Sequence, residues 1–158
     1  MHPEVWGKHF WRVIHLTALG YPMEPSKDEK VDYVNFYVNM GKILPCAKCR
    51  RNYKRHLNNL PLNFFLDNRH ELFKWTVHLH NIVNKETGKL QWSLEFAENY
   101  YHSMIEKRTL EIRRSGKRRE ENIVMKIVMV TTVILLLITL YFLITTNLQQ
   151  KSSSLGNR

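Results

Sequence analysis

The chain has 158 residues, two cysteines and a formal net charge of +10. This length allows one compact domain with a short appendage, and two cysteines exclude a scaffold held together by several disulfides. The positive charge suggests nucleic acid as a partner, but much of it lies between Arg108 and Lys126. Zinc-finger spacing and a helix-turn-helix signature are both absent from the sequence, so we do not expect nucleic-acid binding.

The first two predicted elements are helices. Apolar residues recur every three or four positions from Val5 to Leu19, and Gly20-Tyr21-Pro22 ends this helix. Ser26 or Asp28 can cap a second helix that runs to about Leu44. Apolar and aromatic residues surround the second helix, which indicates burial against the core and against a second subunit.

Three further helices complete the predicted N-terminal domain. Pro45 suits the first position of a third helix, which runs to the turn at Asn58-Asn59-Leu60-Pro61. A fourth helix spans about 69–86, and a fifth starts near Ser93 and continues toward Arg114. No segment alternates apolar and polar residues as a strand would. We therefore predict an all-α fold, a four-helix bundle with a short fifth helix.

A single C-terminal segment is predicted to span a membrane. Residues 127–146 include no charged residue, glycine or proline, and a helix of this length crosses the roughly 30 Å hydrocarbon layer. More Lys and Arg residues precede the segment than follow it, which places the N-terminal domain on the cytosolic side. We expect a domain at 1–112, a basic juxtamembrane linker at 113–126, the transmembrane helix at 127–146 and a disordered tail at 147–158.

The cysteine pair is the main candidate for chemistry. Cys46 and Cys49 lie at the start of the predicted third helix, where free backbone N–H groups, the helix dipole and the neighbouring Lys48 favour a thiolate. A lowered thiol pKa suits thiol–disulfide exchange near neutral pH. The alternatives are two inert thiols, or a zinc site with His56 as a third ligand. Since no second CxxC or HxxxH motif is present, the zinc alternative is weaker.

Two other segments place ring and amide side chains on one helical face. Lys8, Trp11 and His15 share a face of the first helix and suit a stacked adenine with its diphosphate. A face of the fourth helix suits a polar ligand that carries rings and phosphates. Its members are Val77, His80, Asn81 and Asn84. For the fourth helix the alternative is a helix surface without a ligand, and for the first helix it is an ordinary core Trp beside a hydrogen-bonded His.

Together, these segments resemble the FAD-linked sulfhydryl oxidases of the Erv/ALR family. The matching motifs are WGxxxWxxxH at 6–15, PCxxC at 45–49, and WxxxxHNxVN at 75–84 followed by Gly88-Lys89. The resemblance covers roughly residues 4–101 and is greatest to the minimal forms encoded by large cytoplasmic DNA viruses. It implies a helical bundle that binds FAD non-covalently beside the cysteine pair.

The resemblance also implies roles for individual residues. Cys49 would be the cysteine next to the flavin, and Cys46 the one that the substrate thiolate attacks. Electrons would pass from the substrate through this pair to FAD and then to O2, giving H2O2. No metal is implied. The FAD contacts would come from Gly7, Lys8, Trp11, His15, Tyr37, Val77, His80, Asn81, Val83, Asn84, Lys85, Lys89 and Trp92.

The expected partners follow from what this sequence lacks. Many family members carry a second, shuttle CxxC, which is absent here, so a dithiol protein substrate or a small thioredoxin-like or CxxC carrier would reach Cys46 directly. The apolar C-terminal segment predicts a membrane anchor, and the apolar and aromatic surface of the second helix predicts a homodimer. The resemblance to viral forms implies a protein of the host cytoplasm and virion membrane, made late in infection for virion assembly. The alternative that stays open is a membrane-anchored zinc-binding or structural helical module.

Overall fold

Five α-helices and one short 3₁₀ turn make up the computed structural model, which describes the backbone of residues 1–155 and the side chains of residues 1–148. Within these residues there is no β-strand, and the predicted all-α fold is confirmed. The 3₁₀ turn, Leu62–Phe65, lies between the third and fourth helices. The helices are α1 Pro3–Leu19, α2 Lys27–Ile43, α3 Ala47–Asn59, α4 Arg69–Glu86 and α5 Leu94–Leu155.

Side-chain caps define where α2 and α4 begin. The Ser26 hydroxyl accepts a hydrogen bond from the Glu29 N–H at 3.2 Å, and the Glu29 carboxylate accepts one from the Ser26 N–H at 2.8 Å, which makes a capping box. Asn68 Oδ1 accepts from the N–H groups of His70 and Glu71 at 2.9 and 3.1 Å. These caps satisfy backbone donors that the first helical turn leaves unpaired.

The start of α3 differs slightly from the prediction. The helix begins at Ala47, so Pro45 precedes it and Cys46 is the N-cap residue. Cys46 Sγ accepts a hydrogen bond from the Cys49 N–H at 3.2 Å, as a Ser or Thr cap would. The cysteine pair therefore lies at the N-terminal end of α3, where the helix dipole is positive.

The core of the N-terminal unit is rich in aromatic residues whose polar atoms are paired. The buried hydroxyls of Tyr21, Tyr37 and Tyr53 each donate to a backbone carbonyl of another element at 3.0 Å. The indole of Trp75 donates to the Leu60 carbonyl at 3.1 Å. Because each of these bonds joins parts of the chain that are distant in sequence, they fix the relative positions of the helices as well as satisfying buried polar groups.

A close approach of α2 and α3 positions the cysteine pair. Gly41, buried on α2, faces the ring of Tyr53 on α3, and a Cβ built at Gly41 would overlap that ring. Only glycine allows the two helices this separation, since any other side chain would displace the aromatic ring. The start of α3 follows directly from the end of α2, so this contact also orients the disulfide.

The chain forms two compact units, Met1–Ile105 and Glu106–Arg158. Two separate helices were predicted in the C-terminal part, and the structure has the single helix α5 instead. This helix is long enough to cross a membrane and includes an 18-residue window that is apolar enough to do so, judged by length and composition only. The helix continues to Leu155, into the segment predicted to be a disordered tail, and residues 156–158 lie outside the described residues.

Candidate active site

The two cysteines form a disulfide at the N-terminus of α3. Their Cα atoms are 5.1 Å apart, and both side chains are half-buried. The guanidinium of Arg50 donates to the Leu44 carbonyl and so braces the segment that leads into the helix. When the disulfide opens, the free N–H groups and the positive end of the helix dipole stabilise a thiolate at this position.

A cavity of about 660 Å³ lies beside the disulfide. Its volume is in the range of pockets that bind cofactors. Its walls are mainly apolar and aromatic and come from α1, α3 and α4. Besides Cys46 and Cys49, its lining includes Trp6, Gly7, Phe10, Trp11, His56 and Val83.

The cavity fits a flat ring system that carries hydrogen-bond acceptors. The Nε1 atom of Trp6 is buried and has no hydrogen-bond partner within residues 1–148, so a ligand acceptor would satisfy it. Gly7 has no atom within 4 Å of the place where a Cβ would stand, which leaves open space along α1. An isoalloxazine ring has the required shape and acceptors, and in this cavity it would lie beside the disulfide.

Of the residues predicted to contact FAD, Gly7, Trp11 and Val83 line this cavity. Tyr37 and Val77 lie in the core instead, and the Tyr37 hydroxyl donates to the Ile14 carbonyl at 3.0 Å. Lys8, Lys85 and Lys89 are exposed. The other predicted contacts lie outside the cavity lining and form a ring cluster and a pair of asparagines. They are His15, His80, Trp92, Asn81 and Asn84.

One group is a stack of rings that joins α1, α4 and the segment before α5. The rings of Trp11 and His80 are parallel within 10° with centroids 4.0 Å apart. Trp92 lies near His80 at a centroid distance of 5.7 Å. His15 Nε2 is 3.1 Å from His80 Nδ1, so both histidines belong to one cluster with the two indoles.

Hydrogen bonds determine the tautomer of each histidine in this cluster. The Thr76 hydroxyl donates to the Phe73 carbonyl at 2.6 Å, so it accepts from His15 Nδ1 at 2.8 Å. His15 Nε2 is then unprotonated and accepts the proton of His80 Nδ1, which leaves His80 Nε2 as an acceptor. Burial lowers the pKa of His15 to about 3, with a smaller contribution from His80. Burial, aided by Lys89, lowers the pKa of His80 to about 4, so both rings are neutral at pH 7.

The two asparagines use their amides to hold the loop between α4 and α5. Asn81 donates to the Trp92 carbonyl at 2.7 Å and accepts from the Trp92 N–H at 2.8 Å. Asn84 donates to the Leu90 carbonyl at 3.0 Å. The loop turns at Gly88, where φ is +67°, a conformation that favours glycine. These residues therefore place Trp92 against the ring cluster.

Two features of the site were missed by the sequence interpretation. The first is the hydrogen bond between Thr76 and His15. Thr76 is four residues before His80 and on the same helical face, and this spacing could have placed it with the candidate ligand contacts. His56 lines the cavity with its Nε2 3.2 Å from Glu86 Oε2, and Arg55 pairs with the same carboxylate at 2.6 Å. Burial lowers the pKa of His56, although Glu86 opposes this shift. The sequence held no signal for the contacts of Arg55 and His56 with Glu86, because helical periodicity does not relate residues that are about 30 positions apart.

The arrangement does not bring a third ligand to the cysteines. No group of three His, Cys, Asp or Glu side chains that could hold a metal ion occurs in the part of the chain that the structure describes. His56, the third ligand in the zinc alternative, contacts Glu86. The alternative of a zinc site has no support from this geometry.

Comparison with known proteins decides the family. The model of the Erv1 / Alr family matches residues 8–104. The chain belongs to this family. A probable FAD-linked sulfhydryl oxidase of Acanthamoeba polyphaga mimivirus is 47% identical over 90 residues, which cover 56% of this chain and 63% of that protein. An FAD-linked sulfhydryl oxidase of African swine fever virus is 34% identical over 103 residues, 64% of this chain and 84% of that protein.

A solved structure shows the same fold. The crystal structure of the FAD binding domain of Erv1 from Saccharomyces cerevisiae matches with a TM-score of 0.59 and 27% sequence identity. The match covers 63% of this chain and 92% of that one. The predicted resemblance to the Erv/ALR family is therefore confirmed, and so is the predicted helical bundle.

Proposed function

We propose that this Erv1/Alr family chain is an FAD-linked sulfhydryl oxidase that forms disulfide bonds in dithiol proteins. The observation that carries the proposal is the Cys46–Cys49 disulfide in the wall of a cavity of cofactor size. The names of the relatives, which are FAD-linked sulfhydryl oxidases, support the same activity and cofactor. This agrees with the function expected from the sequence.

The chain's own residues perform the thiol chemistry. A substrate thiolate attacks Sγ of Cys46, the disulfide breaks, and Cys49 leaves as a thiolate at the N-terminus of α3. The second substrate thiolate then attacks the substrate sulfur of the mixed disulfide and releases Cys46. The substrate has lost two electrons and the cysteine pair has gained them. Bound FAD supplies the two-electron acceptor that reoxidises the pair and the route to O2, which becomes H2O2.

We infer that the predicted residues hold FAD in three ways. Gly7, Trp11 and Val83 would contact the rings directly, because they line the cavity. His15, His80 and Trp92 would form the ring stack beside it, with Asn81 and Asn84 holding the loop that carries Trp92. The exposed cations Lys8, Lys85 and Lys89 are suited to the diphosphate. Direct contacts from Tyr37 and Val77 stay predictions, since both are buried in the core.

The apolar part of α5 supports the predicted membrane anchor. We propose the division made from the sequence, with a catalytic domain at 1–112, a juxtamembrane segment at 113–126, a span at 127–146 and a tail at 147–158. The basic residues before the span favour a cytosolic catalytic domain. That this domain lies in the host cytoplasm and at the virion membrane stays a prediction, prompted by the viral origin of two relatives. A homodimer would use the exposed apolar residues of α2, including Val31, Phe36 and Val38.

A visible absorption spectrum of the purified full chain in detergent tests the proposed function. We expect bound flavin absorption that bleaches when dithiothreitol is added without oxygen and returns with air. Cys46→Ser and Cys49→Ser should stay yellow and consume no oxygen. A folded protein that stays colourless after refolding with FAD would refute the cofactor, and full turnover by either serine variant would refute the mechanism.

A further inference from the structure

The charged side chains of α3, the helix that carries the disulfide, are all basic. From Asp32 the sequence has no further Asp or Glu until Asp67, and α3 with both cysteines lies within this stretch. The stretch nevertheless includes six cations, five of them on α3. They are Lys42, Lys48, Arg50, Arg51, Lys54 and Arg55.

Several of these cations have no carboxylate to neutralise them. Arg55 pairs with Glu86 at 2.6 Å, and Arg50 is engaged with the Leu44 carbonyl. Lys48, Arg51 and Lys54 are exposed, and none of the three forms an ion pair within residues 1–148. The positive charge at this end of α3 is therefore available to a molecule that approaches the disulfide.

The unpaired cations lie next to the disulfide that the substrate must reach. Lys48 is between the two cysteines in sequence and lines the same cavity as both sulfurs. Arg51 follows Lys48 by one helical turn, and Lys54 follows Arg51 by another. Any protein that brings a thiolate to Cys46 must therefore place its own surface against this part of α3.

We propose that the basic face of α3, formed by Lys48, Arg51 and Lys54, is the docking surface for an acidic dithiol protein, one whose cysteine pair is flanked by Asp and Glu residues. This inference rests on the proposed function and names the chemical class of its substrate. The positive field of this face would raise the rate at which a negatively charged protein associates with it, by about 10- to 1,000-fold. This increase becomes smaller as the ionic strength rises.

A membrane surface is the other anionic structure near this protein, but it fits the site less well. Lys48 lies between the two cysteines in sequence, and Arg51 follows one turn later. Lipid headgroups that bound both cations would therefore also cover the disulfide and exclude the substrate thiol. An acidic partner uses the charge and delivers the thiol in one complex.

The test uses the FAD-loaded full chain in nanodiscs of neutral lipid, with two reduced CxxC peptides that differ only in having four Asp or four Lys residues around the motif. Oxygen consumption gives kcat/KM for each peptide and for dithiothreitol, an uncharged reference. We expect kcat/KM to be at least tenfold higher for the acidic peptide at low salt, and the ratio to approach one in 0.5 M NaCl.

A charge-reversed variant and a matched control identify the surface. In Arg51→Glu/Lys54→Glu the peptide preference should disappear or invert, while turnover of dithiothreitol should change by less than about twofold, because dithiothreitol has no acidic residues for the basic face to attract. The control Lys27→Glu/Lys30→Glu makes the same change in net charge at the far end of α2, and its peptide preference should remain. Lys27 is about 24 Å along the helix axis from Ile43.

Each other outcome overturns the proposal. If the native chain oxidises dithiothreitol but treats both peptides alike, or if the preference survives charge reversal on α3, the docking surface is wrong and the oxidase function stands. If Lys27→Glu/Lys30→Glu loses the preference for the acidic peptide to the same extent, the net charge of the whole chain causes the preference and the α3 face does not. If discs of anionic lipid inhibit dithiothreitol oxidation and reversal on α3 removes that inhibition, the face binds membrane. If dithiothreitol is not oxidised, the proposed function itself fails.

Discussion

Replacing Thr76 by valine removes one hydroxyl from the buried histidine pair and keeps the shape of the side chain. Thr76 and His15 are both completely buried, and the hydroxyl is the acceptor for His15 Nδ1 at 2.8 Å. A buried donor that loses its only acceptor costs about 1–3 kcal/mol. For a domain of roughly 100 residues each kcal/mol lowers the melting temperature by about 4–8 °C. We therefore expect Thr76→Val to melt at least 4 °C below the native chain.

The matched control is Thr76→Ser, which keeps the hydroxyl and loses only a methyl group. Thermal unfolding followed by tryptophan fluorescence should show the serine variant closer to the native chain than the valine variant. Nitrogen-15 NMR of the histidine rings supplies an independent measurement, with the proton of His80 expected on Nδ1 in the native chain. Equal melting temperatures for the two variants, or a native His80 protonated on Nε2, would refute the assigned chain of hydrogen bonds.

Three further predictions concern packing, pH and the cavity. Gly41→Ala forces the ring of Tyr53 to move, so unfolding in urea should show a loss of about 1–3 kcal/mol, and an unchanged midpoint would contradict the close contact. Because the folded pKa values of His15 and His80 are about 3 and about 4, below the ordinary 6.5, the unfolded chain binds more protons. The contribution of these two histidines to the free energy of unfolding is therefore fully present above pH 6.5 and is lost as the pH falls toward 4 and 3. Urea midpoints at pH 7.5, 6 and 5 should decrease in that order. Trp6→Phe removes the unpaired indole donor, and fluorescence titration should show FAD binding weakened by about three- to tenfold if a ligand acceptor satisfies it.

The sequence interpretation succeeded where a signal is local. The helical periodicity of 5–19 and 69–86 was sufficient for α1 and α4, and the spacing of Cys46 and Cys49 predicted a pair that can close as a disulfide. The uncharged run at 127–146 likewise indicated a span by its length. In each case the property depends on residues within a few helical turns, so a single segment has all the necessary information.

The roles of the asparagines show where local reasoning was incomplete. Asn81 and Asn84 were interpreted as ligand contacts because polar amides on a mostly apolar helix need partners. The structure provides those partners in the loop at Leu90 and Trp92, which a helical projection of α4 does not include. Tyr37 similarly donates to a carbonyl of α1, a contact across 23 residues.

By itself, the sequence determined the class of fold, the dithiol and the apolar C-terminal helix, because each follows from composition and short-range spacing. Only the tertiary structure decided that Thr76 sets the protonation of His15, 61 residues away, and that His56 meets Glu86 beside the cavity. Such pairings depend on how helices cross and on which side chains remain dry between them. Hydrogen bonds become specific and pKa values shift only after water has been excluded, and that exclusion is a property of the packed bundle.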